Sequence, residues 1–151
     1  MVRAGTVAAM PKNTATATWT GSLKEGNGHL VTGNGGFDGN FTFRSRFEDG
    51  EGTNPEELIG AAHAGCFSMQ LNAFLYDEGI EPESVVTEAE VTARPVDGTP
   101  TIVSIALRCT VTAPGADEAK IRELGDKAKS GCIISRALAG VEDISLELTV
   151  A

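Results

Sequence analysis

The sequence predicts an α+β domain in the order three strands, helix, two strands, helix, strand, abbreviated βββαββαβ. Short segments on both sides of the chain's middle alternate between apolar and polar residues, which is typical of half-buried strands. Between them, the stretch from Leu58 to Tyr76 carries no fixed charge and has the length of a long helix. At 151 residues the chain is expected to form one domain, 1–151, with antiparallel sheets around a long buried central helix.

The N-terminal strands are predicted within residues 13–52. Thr14 to Trp19 alternates threonine with apolar residues, and His29 to Thr32 is a plausible second strand. A third strand is expected where three aromatic residues share one face, namely Phe41, Phe43 and Phe47. This assignment leaves Arg44 and Arg46 together on the opposite face of that strand.

The central helix is predicted over residues 54–78. Asn54 suits the capping position, Pro55 suits the first helical position, and Gly79 is a stop signal. The uncharged stretch extends around every side of this helix, so no side of it is suited to water. Because one small sheet can cover only one side, we expect a second copy to cover the other in an intertwined, obligate homodimer.

Residues 85–151 are predicted to hold the remaining strands, the second helix and the final strand. These elements are expected at Thr87–Arg94, Val103–Val111, Ala116–Ser130 and Ile144–Val150. Gly131 should break the helix before a short apolar segment that begins at Cys132. Cys109 alternates in register with aliphatic residues, which predicts a core position.

Composition excludes several classes of function. The net charge is −9, from 12 basic and 21 acidic residues, and no Lys/Arg cluster is present. We therefore expect no nucleic-acid partner and no membrane association. The three cysteines are too few for a disulfide framework, which favours a cytoplasmic protein.

Cys66 and Cys132 are the candidate reactive thiols, because each is predicted to lie in a separate helix of one core. A cysteine thiol has an ordinary pKa of about 8.5, so a nucleophilic Cys66 needs a group that stabilises its thiolate. A guanidinium is the obvious choice, and Arg44 and Arg46 are nearest in sequence. Periodicity alone does not choose between them.

Three other interpretations remain open from the residues. His63, Cys66, Cys132 and His29 could form a zinc site, although no Cys-x-x-Cys pair is present. His63 could instead serve Cys66 as the base of an acyl-transfer enzyme. The rival from another class is a non-catalytic dimeric module that binds a small apolar or lipid ligand.

The run from Gly52 to Met69, GTNPEELIGAAHAGCFSM, resembles the peroxidatic-cysteine helix of the family of osmotically inducible protein C (OsmC) and organic hydroperoxide resistance (Ohr) proteins. Further matching segments are Arg46-Phe47-Glu48, the run from Lys127 to Cys132, and Trp19-Thr20-Gly21. The central run is more similar to the OsmC branch than to the Ohr branch, and the likeness covers essentially the whole chain.

The resemblance implies an OsmC-like fold and a thiol-dependent peroxidase of the oxidative or osmotic stress response, which reduces organic hydroperoxides and draws electrons from a dithiol such as a dihydrolipoyl protein. It implies active sites at the interface of a homodimer, without cofactor or metal. Cys66 would be the peroxidatic cysteine and Cys132 the resolving cysteine. Arg46 would hold the thiolate and polarise the peroxide, and Glu56 would orient Arg46. Ile133 stands where many members have proline.

Helix geometry adds a constraint to these implied roles. Glu56 precedes Cys66 by ten residues, which is about 15 Å along a helix axis. An arginine of one chain bridges that distance poorly. We therefore hypothesise that Arg46 and Glu56 reach the Cys66 of the partner chain across antiparallel central helices.

Overall fold

The computed structural model describes residues 10–151, which divide into two compact units, one ending at Asn54 and the other spanning Pro55–Ala151. The first unit contains an antiparallel sheet in the order β1-β2-β3. Its strands are β1 (Ala15–Thr20), β2 (Asn27–Thr32) and β3 (Asp38–Phe41). A short helix, α1 (Phe43–Phe47), follows directly. The first two strands are therefore close to their predicted positions.

The predicted third strand is wrong beyond Phe41, because α1 replaces it. Thr42 starts this helix with a capping box: its side chain accepts a hydrogen bond from the Ser45 N–H, and the Ser45 hydroxyl accepts one from the Thr42 N–H. Arg44 and Arg46 consequently do not share a strand face. Two residues apart on a helix, they are separated by about 200° around its axis.

The central helix, α2 (Pro55–Asp77), agrees with the prediction at both ends. It ends where Gly79 takes a positive φ of 73° and the Ile80 N–H bonds to the Leu75 carbonyl, as at many helix ends. One side of α2 is buried within the single chain, at Gly60, His63, Phe67, Leu71 and Leu75. The expectation of burial on every side is not met within one chain, since Met69 is 76% exposed.

The second unit contains the other sheet, in the order β4-β5-β6. Its strands are β4 (Ser84–Val96), β5 (Thr99–Thr112) and β6 (Asp143–Val150). The β4–β5 hairpin is antiparallel and turns at Asp97 and Gly98, both with positive φ, as a two-residue hairpin turn requires.

The expectation of purely antiparallel sheets is wrong at β6, which pairs in parallel with β5. Between these strands the chain passes through α3 (Glu118–Gly131) and α4 (Ile133–Ala137). Such a helical crossover returns the chain to the same end of the sheet, so the next strand runs in the same direction. The observed order is βββααββααβ, in which α1 and α4 are additional to the predicted elements.

The hydrophobic core lies between α2, α3 and the second sheet. Cys109 is 2% exposed among Ile105, Leu107 and Val111, which confirms it as a core residue. Within residues 10–151, no helix has both the length and the apolar character needed to span a membrane.

Candidate thiol site

Two cysteines from separate helices meet in the second unit. Cys66 lies at the middle of α2 and is half-buried. Cys132 is completely buried and joins α3 to α4 with extended backbone angles (φ −58°, ψ 131°), so the chain turns at this residue. The two thiols lie close enough to interact, and neither cysteine is in a disulfide. The arrangement therefore places a dithiol at the point where α4 meets α2.

The pKa of the Cys66 thiol is raised in this setting. Burial is the largest cause, because it disfavours the charged thiolate, and the interaction with the Cys132 thiol adds to the rise. Backbone N–H groups of Ile134 and Ile133 act in the opposite direction. The groups that lower the pKa are thus backbone amides rather than a cation, and they do not outweigh burial.

A second buried polar pair joins the same two helices. His63, three residues before Cys66, is fully buried, and its Nε2 lies 2.7 Å from the Oγ of Ser135, three residues after Cys132. Burial lowers the pKa of His63, so its neutral form is favoured near pH 7. The His63 Nδ1 atom is buried without a hydrogen-bond partner among the described residues.

The tautomer of His63 follows from these contacts. A neutral imidazole has one N–H donor and one acceptor nitrogen. If Nδ1 carried the proton, a buried donor would be left unsatisfied, which is rarer than an unsatisfied acceptor. We therefore assign the proton to Nε2, which donates to the Ser135 hydroxyl. In this tautomer Nδ1 is the basic nitrogen, and it makes no hydrogen bond to Cys66 or to any other described residue, which disfavours the acyl-transfer interpretation that requires His63 to act as a base for Cys66.

Arg46 and Glu56 lie on different elements. Arg46 is in α1, and its guanidinium carbon lies 5.3 Å from the centre of the Phe47 ring. Arg44, on the same helix, has Nε 3.4 Å from a carboxylate oxygen of Glu48. Glu56 is in the first turn of α2, which is continuous to Cys66, so the two residues are about 15 Å apart along the axis. Glu56 and Cys66 of one chain are therefore not neighbours.

The positions of the side chains disfavour the zinc interpretation. Among residues 10–151, no group of three or more His, Cys, Asp or Glu side chains is close enough to hold a metal ion. His29, which that interpretation needed, has its Nε2 2.6 Å from the carboxylate of Asp38.

Sequence reasoning missed Ser135 and the amide groups of Ile133 and Ile134. The signal for Ser135 was its spacing: it follows Cys132 by three residues, as His63 precedes Cys66 by three. Residues at that spacing lie on the same side of a helix. The amides could not be identified from side-chain identities, because every residue except proline carries one.

The fold and the thiol pair define this chain as an α+β protein with a dithiol site. A protein-family model described as OsmC-like protein matches residues 48–147, and the chain belongs to this OsmC family. It is 44% identical over 123 residues to peroxiredoxin OsmC of Escherichia coli strain K12, a match that covers 81% of this chain and 86% of that protein.

Solved structures agree with this assignment. The crystal structure of the organic hydroperoxide resistance protein OhrB of Bacillus subtilis is similar at a TM-score of 0.65 and 26% identity, covering 91% of this chain and 98% of that one. An OsmC-like protein from Mycoplasma pneumoniae has a TM-score of 0.74 at 19% identity, covering 93% and 98%, which supports the fold alone.

Proposed function

We propose that this protein is a two-cysteine thiol peroxidase that reduces organic hydroperoxides to alcohols, with a role in the response to oxidative or osmotic stress. The observation that carries the proposal is the interacting pair of free thiols, Cys66 and Cys132. The 44% identity to a peroxiredoxin supports it independently. A reducing compartment such as the cytoplasm suits the cycle, because thiols are kept reduced there.

The proposed cycle starts with attack of the Cys66 thiolate on the distal oxygen of the hydroperoxide. The O–O bond breaks, the alkoxide leaves and takes up a proton, and Cys66 becomes a sulfenic acid. The Cys132 thiol then attacks that sulfur: the S–S bond forms, the S–O bond breaks, and water leaves with the thiol proton. An external dithiol supplies two electrons and two protons and restores both thiols by exchange.

Arg46 is proposed to supply the positive charge that this chemistry needs. Burial raises the pKa of the Cys66 thiol and the local amides do not offset it, so the thiolate requires a cation. The same guanidinium would stabilise the leaving alkoxide. We assign Glu56 the role of orienting Arg46, since a carboxylate accepts two parallel hydrogen bonds from a guanidinium.

A homodimer is part of this proposal, and an exposed, uncharged face of α2 supports it. This face runs the length of the helix through Ala61, Gly65, Met69, Asn72 and Tyr76. Large apolar groups such as Met69, 76% exposed, are a typical feature of a protein interface. A second copy that packs its own α2 antiparallel on this face would cover it.

The position of the two-fold axis follows from the roles proposed for Glu56 and Cys66. For Glu56 of one antiparallel helix to lie level with Cys66 of the other, the axis must pass close to the midpoint, residue 61. Ala61 and Ala62 are exposed there, and small residues allow two helices to approach closely. We therefore propose that the helices cross at Ala61.

Cysteine cross-linking tests this crossing. Ala61→Cys should form a disulfide with its own symmetry mate under mild oxidation, visible as a dimer on a non-reducing gel. Asn72→Cys lies on the same exposed face, but its mate would be about 33 Å away, so it should not cross-link. Both variants are made in a Cys66→Ser background. A cross-link at residue 72 and none at residue 61 contradicts the proposed axis.

The peroxidase activity is tested by intact mass under non-reducing conditions after one equivalent of cumene hydroperoxide, followed by peptide mapping. Loss of two hydrogens, localised to Cys66 and Cys132, is the expected result. An unchanged mass with the peroxide unconsumed would favour the rival ligand-binding module. Oxygen added to Cys66 alone would support a peroxidase in which Cys132 is not the resolving cysteine.

A further inference from the structure

We propose that the His63–Ser135 hydrogen bond is a latch that holds α4 against α2, so that Cys132 stays within reach of Cys66 when the disulfide must form. His63 and Ser135 are positioning residues in this proposal, because they act through Cys132. The inference rests on the proposed peroxidase cycle and concerns its second step.

The short helix α4 depends on such a contact. It has five residues, far fewer than an isolated helix needs for stability in water. No side chain caps its first turn, and its first residue, Ile133, is 55% exposed. Ser135 is its buried residue, and the partner of Ser135 is His63 on α2. The hydrogen bond is therefore the side-chain attachment of α4 to the helix that carries Cys66, beside the backbone amides of Ile133 and Ile134 that act on the Cys66 thiol.

The latch and the thiol pair are arranged in parallel. His63 and Cys66 are separated by three residues on α2, and Cys132 and Ser135 by three residues at the start of α4. The His63–Ser135 bond and the interaction of the two thiols thus join the same two segments, about one helical turn apart. Oxidation of Cys66 changes the group that interacts with the Cys132 thiol, whereas the His63–Ser135 bond does not involve sulfur and persists.

Disulfide formation requires this persistence. The two sulfur atoms must approach to about 2.05 Å, within narrow dihedral limits. A sulfenic acid that is not captured in time reacts with a second hydroperoxide to give sulfinic acid, which leaves the cycle. If the latch is lost, Cys132 is within reach of Cys66 for less of the time. Sulfinic acid should then exceed the disulfide at lower peroxide concentrations.

The experiment measures this competition. Reduced protein is mixed with increasing cumene hydroperoxide, quenched with a thiol-blocking reagent, and the ratio of disulfide to Cys66 sulfinic acid is read by mass. In Ser135→Ala, the concentration that gives equal amounts should fall about fivefold, from the loss of one hydrogen bond. His63→Leu should behave in the same way, whereas His63→Gln, whose amide nitrogen can donate to Ser135, should lie close to the wild type.

Ser68→Ala is the matched control. Ser68 is also on α2, and its hydroxyl donates to the Thr87 Oγ1 over the same 2.7 Å, but that bond attaches α2 to β4 rather than to α4. It should leave the ratio unchanged. Because the ratio is set after the sulfenic acid has formed, it does not depend on the rate of the first step.

Two results would overturn the latch. One is an unchanged ratio in both Ser135→Ala and His63→Leu; the other is an equal shift in Ser68→Ala. If Ser135→Ala does not fold, the test is the comparison of His63→Gln with His63→Leu. Equal ratios of disulfide to sulfinic acid in these two variants overturn the proposal. A wild-type protein that forms no disulfide at all refutes the peroxidase cycle itself, and the mass measurement on the wild type identifies that result separately.

Discussion

The two compact units differ in where their apolar side chains lie. The second unit contains the hydrophobic core, in which Phe67 and Leu107 are fully buried. In the described part of the first unit, the buried side chains are short and polar, those of Ser45 and Thr53, while Leu23 remains 64% exposed. The second unit thus combines the hydrophobic core with both thiols, whereas the first unit, which carries Arg46, has few buried side chains. The comparison predicts that chemistry and stability respond differently to changes in the two units.

The largest effect is expected at Cys66. Cys66→Ser should abolish peroxide turnover, because a hydroxyl of ordinary pKa does not replace the thiolate. Cys109→Ala is the control, because Cys109 is also a buried thiol of the second unit, and burial raises its pKa too. It should retain turnover per folded molecule. Peroxide consumption with a dithiol reductant measures both, and equal losses in both variants would contradict the assignment.

The next largest effect separates the units by stability. Leu107→Ala removes a fully buried side chain from β5 and should cost about 2–5 kcal/mol of the free energy of unfolding. Leu23→Ala, in the first unit, should change it by less than about 0.5 kcal/mol, as is usual for an exposed site. Urea unfolding at one protein concentration measures both. A similar loss in the two variants would show that the first unit shares in the core.

A smaller effect is expected from the charge that we propose for Arg46, which lies in the first unit. Arg46→Ala should slow the first peroxide reduction about a hundredfold, the usual cost of removing one group that stabilises developing negative charge. Arg44→Ala, on the same five-residue helix, should leave that rate unchanged. Stopped-flow measurement of a single reduction gives both rates. A loss in Arg44→Ala and none in Arg46→Ala would transfer the role to Arg44.

How far the sequence could predict the fold is clear from α2 and α1. The capping residue, proline and glycine around a long uncharged run determine α2 locally, so its bounds were predictable. The bounds of α1 were not, because Phe41, Phe43 and Phe47 fit strand alternation. The decisive signal was a hydrogen-bonding pair between Thr42 and Ser45, which competes with the strand pattern only over three residues.

The candidate site was predictable where it consists of scarce residue types such as cysteine, and not where it depends on packing. Cys66 and Cys132 stand out because thiols are scarce and lie in separate helices. The parallel pairing of β6 and the role of Ser135 both depend on the path through α3 and α4, which brings distant segments together. Serine is too common for that contact to be inferred from one sequence.

The smallest predicted effect is a loss of stability in acid that originates at His63. Burial lowers the pKa of His63 below its ordinary value of about 6.5, so the unfolded chain binds a proton at a higher pH than the folded chain does. The stability from this residue should therefore be complete well above about pH 6.5 and fall as the pH drops, by at most about 1.4 kcal/mol per pH unit. Urea midpoints at pH 7.5 and 5.5 should differ more in the wild type than in His63→Gln, which cannot bind the proton. An equal difference in wild type and His63→Gln would assign the acid sensitivity to other groups and leave His63 with no part in it.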